Sequence, residues 1–369
     1  MNIAILTSSR ADYGIWLPFL KLLRSDAKHT FELIVFGTHL SLKHGHTVDA
    51  IRADGFEASH CLDTMPEGDK PEHIAAAMGK TMQVFADFWK TQGRRFDVIL
   101  CLGDRYEMFA AVAAAAPFGL NIAHVHGGET TLGAIDNAFR HSITLFSRLH
   151  FVSTEAYAER VRQLHDTPQP VYVVGALSLD NVRELNLMTT AEFNTAFGFS
   201  VDSSTILCTF HPETVNPEQN EQLGHELIEA IRQLTEYRFL ITLPNADTYG
   251  DTLRRMLIEA FAHDDRVQLA ENLGTLGYMS AMKHCAMLLG NTSSGIIEAA
   301  SFEQYVVDLG NRQKGRAHGG NVIHVPLERD AILAAVKDIA ARGKWEGGNL
   351  YDFGGAARKM MNALESELK

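Results

Sequence analysis

Residues 98–129 read VILCLGDRYEMFAAVAAAAPFGLNIAHVHGGE, and this stretch decides the fold. The apolar run Val98–Leu102 is short enough for a strand buried on both faces. A charged loop, Gly103-Asp104, ends it, and Arg105–Ala115 has the composition of a helix. A second apolar run, Ile122–His126, predicts another strand, so the unit is strand, helix, strand with a parallel crossover.

The same alternation extends in both directions. Upstream, Ile3–Leu6 and Leu33–Phe36 predict strands, with helices at Trp16–Leu23 and Ile74–Trp89. Downstream, His150–Val152 and Val171–Val174 predict strands. The pattern restarts with strands Ile206–Phe210, Phe239–Leu243, Val267–Leu269, Met287–Leu289 and Tyr305–Asp308, and helices Gln219–Leu234, Asp251–Ala262, Gly295–Ser301 and Asp330–Ala341. A polar stretch, Asn181–Ser204, separates the two sets, and Gly354–Lys369 predicts a terminal amphipathic helix. The expected architecture is α/β, with two doubly wound domains facing a cleft and ligands gathered at the carboxyl ends of strands.

A length of 369 residues fits two domains, and 46% hydrophobic against 21% charged residues excludes a disordered chain. The formal charge of −12 argues against nucleic acid or an anionic membrane as partner, both of which need a basic surface. Cys61, Cys101, Cys208 and Cys285 are scattered without a C-x-x-C pair, which fits a reducing compartment. The N-terminus lacks a signal-peptide pattern, and the longest apolar run, Met108–Leu120, is broken by Pro117. A cytoplasmic protein is expected.

The polar motifs fall where the strands end. Thr7-Ser8-Ser9-Arg10-Ala11-Asp12-Tyr13-Gly14 opens the first helix, as either an anion site with Arg10 as donor or a plain Ser/Asp cap. Gly290-Asn291-Thr292-Ser293-Ser294-Gly295 opens another, offering two hydroxyls for a phosphate, with Glu298 placed for a ribose. It is neither a nucleophile elbow nor a Walker loop. No G-x-G tripeptide occurs, so the dinucleotide fingerprint is missing. Asp104 and Arg105 stand side by side, suited to proton transfer and pyrophosphate binding respectively. His124-Val125-His126-Gly127-Gly128-Glu129 followed by Asp136 reads as a carboxylate pair for acid–base work, or as a metal site with His39, His44 and His46 added. His211-Pro212-Glu213, Leu243-Pro244-Asn245-Ala246-Asp247 and the cationic Gly310–Arg316 complete the set.

Together, S-S-R-A-D-Y-G, G-D-R-Y-E, H-V-H-G-G-E, I-D-N-A-F-R-H-S-I-T, F-H-P-E-T, N-A-D-T, G-N-T-S-S-G-I-I-E and N-R-Q-K-G-R, in order from Ser8 to Arg316, resemble the hydrolysing UDP-N-acetylglucosamine 2-epimerases of sialic-acid biosynthesis. The resemblance implies two Rossmann-like domains in the glycosyltransferase-B architecture. Their bounds would be residues 1–178, with 352–369 returning as a terminal helix, and residues 179–351, which bind UDP. It implies a two-step reaction in which UDP leaves C1 as the C2 proton is taken, and water then adds to 2-acetamidoglucal to give N-acetylmannosamine. By the same resemblance Asp104, Glu129, Asp136 and His211 are catalytic, while Arg10, Asp12, His39, Arg105, Asn245, Ser293, Ser294, Glu298 and Arg312 hold UDP or substrate. No metal or other cofactor is implied, and a homodimer or homotetramer is. Related enzymes of legionaminic-acid pathways take UDP-N,N′-diacetylbacillosamine instead, which makes that sugar the alternative substrate. A glycosyltransferase of the same architecture is a more distant one. Some relatives carry a carboxylate at the position of His126.

Overall fold

The computed structural model describes residues 1–42, 45–65, 68–215, 217–244 and 250–368. The chain divides into two compact units: residues 1–129, 136–184 and 351–369 form the first, and residues 130–135 and 185–350 the second.

Among the described residues the first unit is built on strands β1 (Asn2–Thr7), β2 (Thr30–Phe36), β3 (His60–Leu62), β4 (Val98–Leu102), β5 (Ile122–Val125), β6 (Leu149–Val152) and β7 (Val171–Val173). They pair in the order β3-β2-β1-β4-β5-β6-β7, every pair parallel. Alternation along β1 feeds two cores, because successive side chains of a strand point to opposite faces. Ile3 and Ile5 meet Trp16, Phe19 and Leu20 of the helix Arg10–Arg24. Ala4 and Leu6 meet Phe85 and Trp89 of the helix Pro71–Gln92.

The second unit carries β8 (Thr205–Thr209), β9 (Arg238–Thr242), β10 (Val267–Ala270), β11 (Met287–Gly290), β12 (Val306–Leu309) and β13 (Val322–Val325). Their order is β10-β9-β8-β11-β12-β13, again all parallel. Ile206, Cys208 and Phe210 pack against Leu227 and Ile231 of the helix Asn220–Gln233, and against Ile332, Val336 and Ile339 of the helix Arg329–Arg342. Each unit therefore reverses direction beside its first strand, between β1 and β4 and between β8 and β11. In sheets of this kind such a reversal opens a crevice at the carboxyl ends of the strands.

The expected boundary at 178/179 differs from the observed one. Helix Ser178–Glu184 stays with the first unit because Asn181 donates to Gly14 O at 2.8 Å and Asp180 accepts from the backbone N–H groups of Ala356 (3.2 Å) and Ala357 (2.8 Å). Those two residues open the terminal helix Ala356–Glu367, whose Met360, Met361 and Leu364 enter the first unit's core. Inside the second unit, Leu132 N donates to Lys314 O at 3.0 Å and Ile135 N to Thr214 Oγ1 at 2.9 Å. Within the expected polar divide, a helix forms at Thr190–Phe197, capped by Thr189 with Glu192 and closed by Gly198 in the left-handed region. No helix among the described residues is long and apolar enough to cross a membrane.

Candidate functional site

In the first unit the reversal point lies between the ends of β1 and β4. At the end of β1, Asp12 turns back onto the loop that precedes its helix. Its Oδ1 accepts from Thr7 Oγ1 (2.8 Å) and Ser9 N (3.0 Å), and its Oδ2 from Ser8 N (2.8 Å) and Ser8 Oγ (3.0 Å). His39, fully buried, places Nε2 2.9 Å from Thr7 Oγ1 and Nδ1 2.8 Å from Thr47 Oγ1. Burial opposes charge on Asp12, but His39 and the Ser8 N–H outweigh it and hold the carboxyl below its ordinary range. These four bonds fill the carboxylate's acceptor sites, and both nitrogens of His39 are engaged. Asp12 and His39 thus shape the loop that presents Ser8, Ser9 and the half-buried Arg10.

At the end of β4, Gly103 adopts φ +79°, and the part-buried Asp104 follows it. Asp104 pairs with Arg140, a buried residue of the helix Asp136–Phe146. Arg140 also reaches Glu129 Oε2 at 3.2 Å. Glu129 is fully buried, and its Oε1 accepts from Ser153 Oγ at 3.0 Å and lies 2.8 Å from His126 Nδ1. Asp136, half-buried, sits one turn before Arg140 on the same helical face. Thus Asp104, Glu129 and Arg140 form one charged cluster, with Asp136 beside it on the helix. Arg105 precedes the helix Tyr106–Ala115 and donates through Nε to buried Glu107 at 2.6 Å.

The two histidines of the His-x-His motif part company. β5 ends at Val125, and His126 takes φ +64°, so the strand alternation stops before it. His124 stays in the sheet, with Nε2 2.8 Å from Gly103 O and Nδ1 3.1 Å from Thr144 Oγ1. Burial pushes His124 down to about 4. His46 pairs with Asp49, so His39, His46, His124 and His126 each bond to a different set of partners. His44 lies outside the described residues, as does Asn245.

In the second unit the corresponding point lies between β8 and β11. Asn291 bridges it: its Oδ1 accepts from His211 N at 2.7 Å and its Nδ2 donates to His211 O at 2.8 Å. The main chains are so close there that a Cβ on Gly290 would stand 1.9 Å from Thr209 O, at φ +139°. Asn291 O in turn receives Gln313 Nε2 at 2.8 Å and Arg312 at 3.3 Å, while Arg316 donates to Gln313 Oε1 at 2.9 Å. Glu213 Oε1 accepts from Asn311 N at 2.5 Å. His211 and the cationic loop 311–316 are thereby fixed to one another. Ser293 and Ser294 open a helix of only five residues, Ser293–Ile297, followed by a 3-10 turn, in place of the expected helix Gly295–Ser301. Glu298 is buried near Tyr278, whose hydroxyl burial pushes up to about 12.

Arg140, Asn291, Gln313 and Ser153 are the members that reading by residue type passed over. For Arg140 the available signal was its spacing of four from Asp136.

The model of the UDP-N-acetylglucosamine 2-epimerase family matches residues 21–365. The polysialic acid biosynthesis protein P7 of Escherichia coli is 34% identical over 337 residues, covering 91% of this chain and 85% of the relative. The UDP-N,N′-diacetylbacillosamine 2-epimerase (hydrolyzing) of Legionella pneumophila is 32% identical over 365 residues, covering 99% and 96%. Among solved structures, the UDP-GlcNAc 2-epimerase of Neisseria meningitidis bound to UDP-GlcNAc superposes with a TM-score of 0.81 over 100% of both chains at 18% identity, which speaks for the fold. With two parallel α/β units and a match over nearly its whole length, the chain belongs to the UDP-N-acetylglucosamine 2-epimerase family.

Proposed function

We propose that the protein is a hydrolysing 2-epimerase that converts UDP-N-acetylglucosamine and water to UDP and N-acetylmannosamine. The observation that carries this reading is the Asp104–Arg140–Glu129 cluster beside the reversal point of the first sheet, in which part-buried Asp104 is tied to the buried Arg140 and Glu129. The C2 proton of the sugar has no neighbouring carbonyl to acidify it. Its removal must therefore be driven by departure of the diphosphate and by positive character developing at C1. Carboxylates favour the second, and cationic groups the first. Asp104, Glu129 and Asp136 supply negative charge in the first unit. In our reading His211 and Arg312, with Arg10 and Arg105, stabilise the leaving diphosphate, Glu298 and Asn245 hold the nucleoside, and Ser293 and Ser294 hold phosphate. No metal enters this scheme. Two relatives, from Legionella pneumophila and Campylobacter jejuni, are named as hydrolyzing enzymes, which supports water as the acceptor.

A second reading is favoured by both of these. The Legionella relative, matched over 99% of this chain, is named for UDP-N,N′-diacetylbacillosamine, and the Campylobacter relative, matched over 87%, for GDP/UDP-N,N′-diacetylbacillosamine. That sugar differs by a 4-acetamido and a 6-deoxy group, a distinction within reach of a few pocket contacts. We expect a cytoplasmic homodimer or homotetramer in either case. UDP release is to be measured separately with each sugar in the presence of a chelator. Release from UDP-N-acetylglucosamine alone is the expected result. Release from the bacillosamine sugar alone would transfer the assignment to it, and release that the chelator abolishes would overturn the metal-free scheme.

A further inference from the structure

Two features of His126 serve nothing in the packing. Its backbone is left-handed at φ +64°, a region that a residue with a side chain enters at a cost and that glycine enters freely. Its Nε2 is buried and has no hydrogen-bond partner, an arrangement that buried polar atoms rarely show without a functional reason. The other ring nitrogen is spoken for. Nδ1 lies 2.8 Å from Glu129 Oε1, and a carboxylate only accepts, so Nδ1 carries the hydrogen and Nε2 of the neutral ring holds a lone pair. Glu129 in its turn is fully buried and receives Ser153 and Arg140 as well. Its oxygens are committed to donors, which suits it to holding a ring in place rather than to exchanging protons with a sugar. His126, Asp104 and Arg140 all lie near enough to bear on the charge of His124, so the imidazole belongs to the same cluster as the paired acid.

We propose that His126 is the base that removes the C2 proton and that Glu129 is the positioning residue that sets its tautomer and ring plane. This rests on the 2-epimerase reading and reassigns the proton transfer expected of Glu129. In the step, Nε2 forms a bond to the C2 hydrogen while the C2–H electron pair becomes the C1=C2 double bond. The C1–O bond breaks, and its pair leaves with UDP. The imidazolium that results faces the Glu129 carboxylate and later gives its proton to water. This is the division of labour between a buried acid and its histidine in hydrolase triads.

The left-handed backbone supplies an unusual test, because His126→Gly removes the ring without straining the chain. With the sugar that the parent turns over, we expect His126→Gly to lower kcat by about 10³-fold, within the range of general-base effects, to leave KM within about threefold, and to recover turnover as imidazole is added. Glu129→Gln should lower kcat with little change in KM, and Glu129→Asp should restore part of it. A His126→Gly enzyme with kcat within about tenfold of the parent, a loss that imidazole does not relieve, or a Glu129→Gln enzyme with parental kcat would each overturn the proposal. Should His126→Gly not melt cooperatively, His126→Asn takes its place: parental kcat would refute the base, and a loss at constant KM would support it. A parent that releases UDP from neither sugar would refute the 2-epimerase reading itself, and the dyad with it. Failure confined to the variants refutes only the dyad.

Discussion

Arg140 holds the acid cluster together, since it pairs with both Asp104 and the fully buried Glu129. Its loss would leave a buried carboxylate uncompensated, a change that costs about 3–5 kcal/mol when one partner of a buried pair is removed. Arg140→Met should therefore lower the unfolding free energy by about 3 kcal/mol and reduce kcat, as read from urea denaturation and UDP release. Stability equal to the parent would show that the pairing is weaker than the geometry implies. The acids were visible in the sequence because they follow strand ends or glycines, where few residues can be core: Asp104 after Gly103, Glu129 after Gly127-Gly128. Arg140 was not, because it sits within a helical pattern and its partners come from elsewhere in the chain. Asp12 and His39 were visible as polar residues, but the hydrogen bonds by which they shape the loop after β1 were not, because Thr7, Ser8 and Thr47 act there as partners rather than as a motif.

At the level of elements, two junctions depend on a single side chain or on its absence. β11 ends at Gly290, where a Cβ would meet Thr209 O at 1.9 Å. Gly290→Ala should force β8 and β11 apart and disturb the Asn291–His211 bridge, lowering activity well beyond any effect on melting temperature. An active Gly290→Ala enzyme would contradict that placement. The terminal helix opens without a capping side chain of its own, and Asp180 supplies acceptors for its first N–H groups. Asp180→Ala should cost about 1 kcal/mol, as the loss of a helix cap does, measurable by chemical denaturation. Long apolar strands and the 22-residue helix Pro71–Gln92 were legible from pattern alone. The edge strands β3 and β13 were not: His60–Leu62 has three residues, and Val322–Val325 includes an exposed His324. The helix Thr190–Phe197 escaped because its buried contribution is Phe193 alone, which leaves little periodicity to read.

For the whole molecule, both sheets share one strand order through their first six strands, so the reversal points could be expected from topology before any side chain was placed. Acid stability is a property at this scale. Burial holds the imidazoles of His124 and His150 at about 4 and about 3, against an ordinary 6.5. Between pH 6.5 and those values the unfolded chain binds protons that the folded chain refuses, so stability falls as pH falls through that window and is complete above it. The urea midpoint should be level above pH 7 and decline below 6.5, and His150→Phe should soften the decline. A midpoint unchanged between pH 7 and 5 would contradict the burial of these rings. The central claim, elimination followed by hydration, is most directly tested by proton NMR of turnover in D2O. The account predicts UDP together with a free 2-epimerised sugar that carries deuterium at C2. A released sugar that keeps its C2 proton would contradict it.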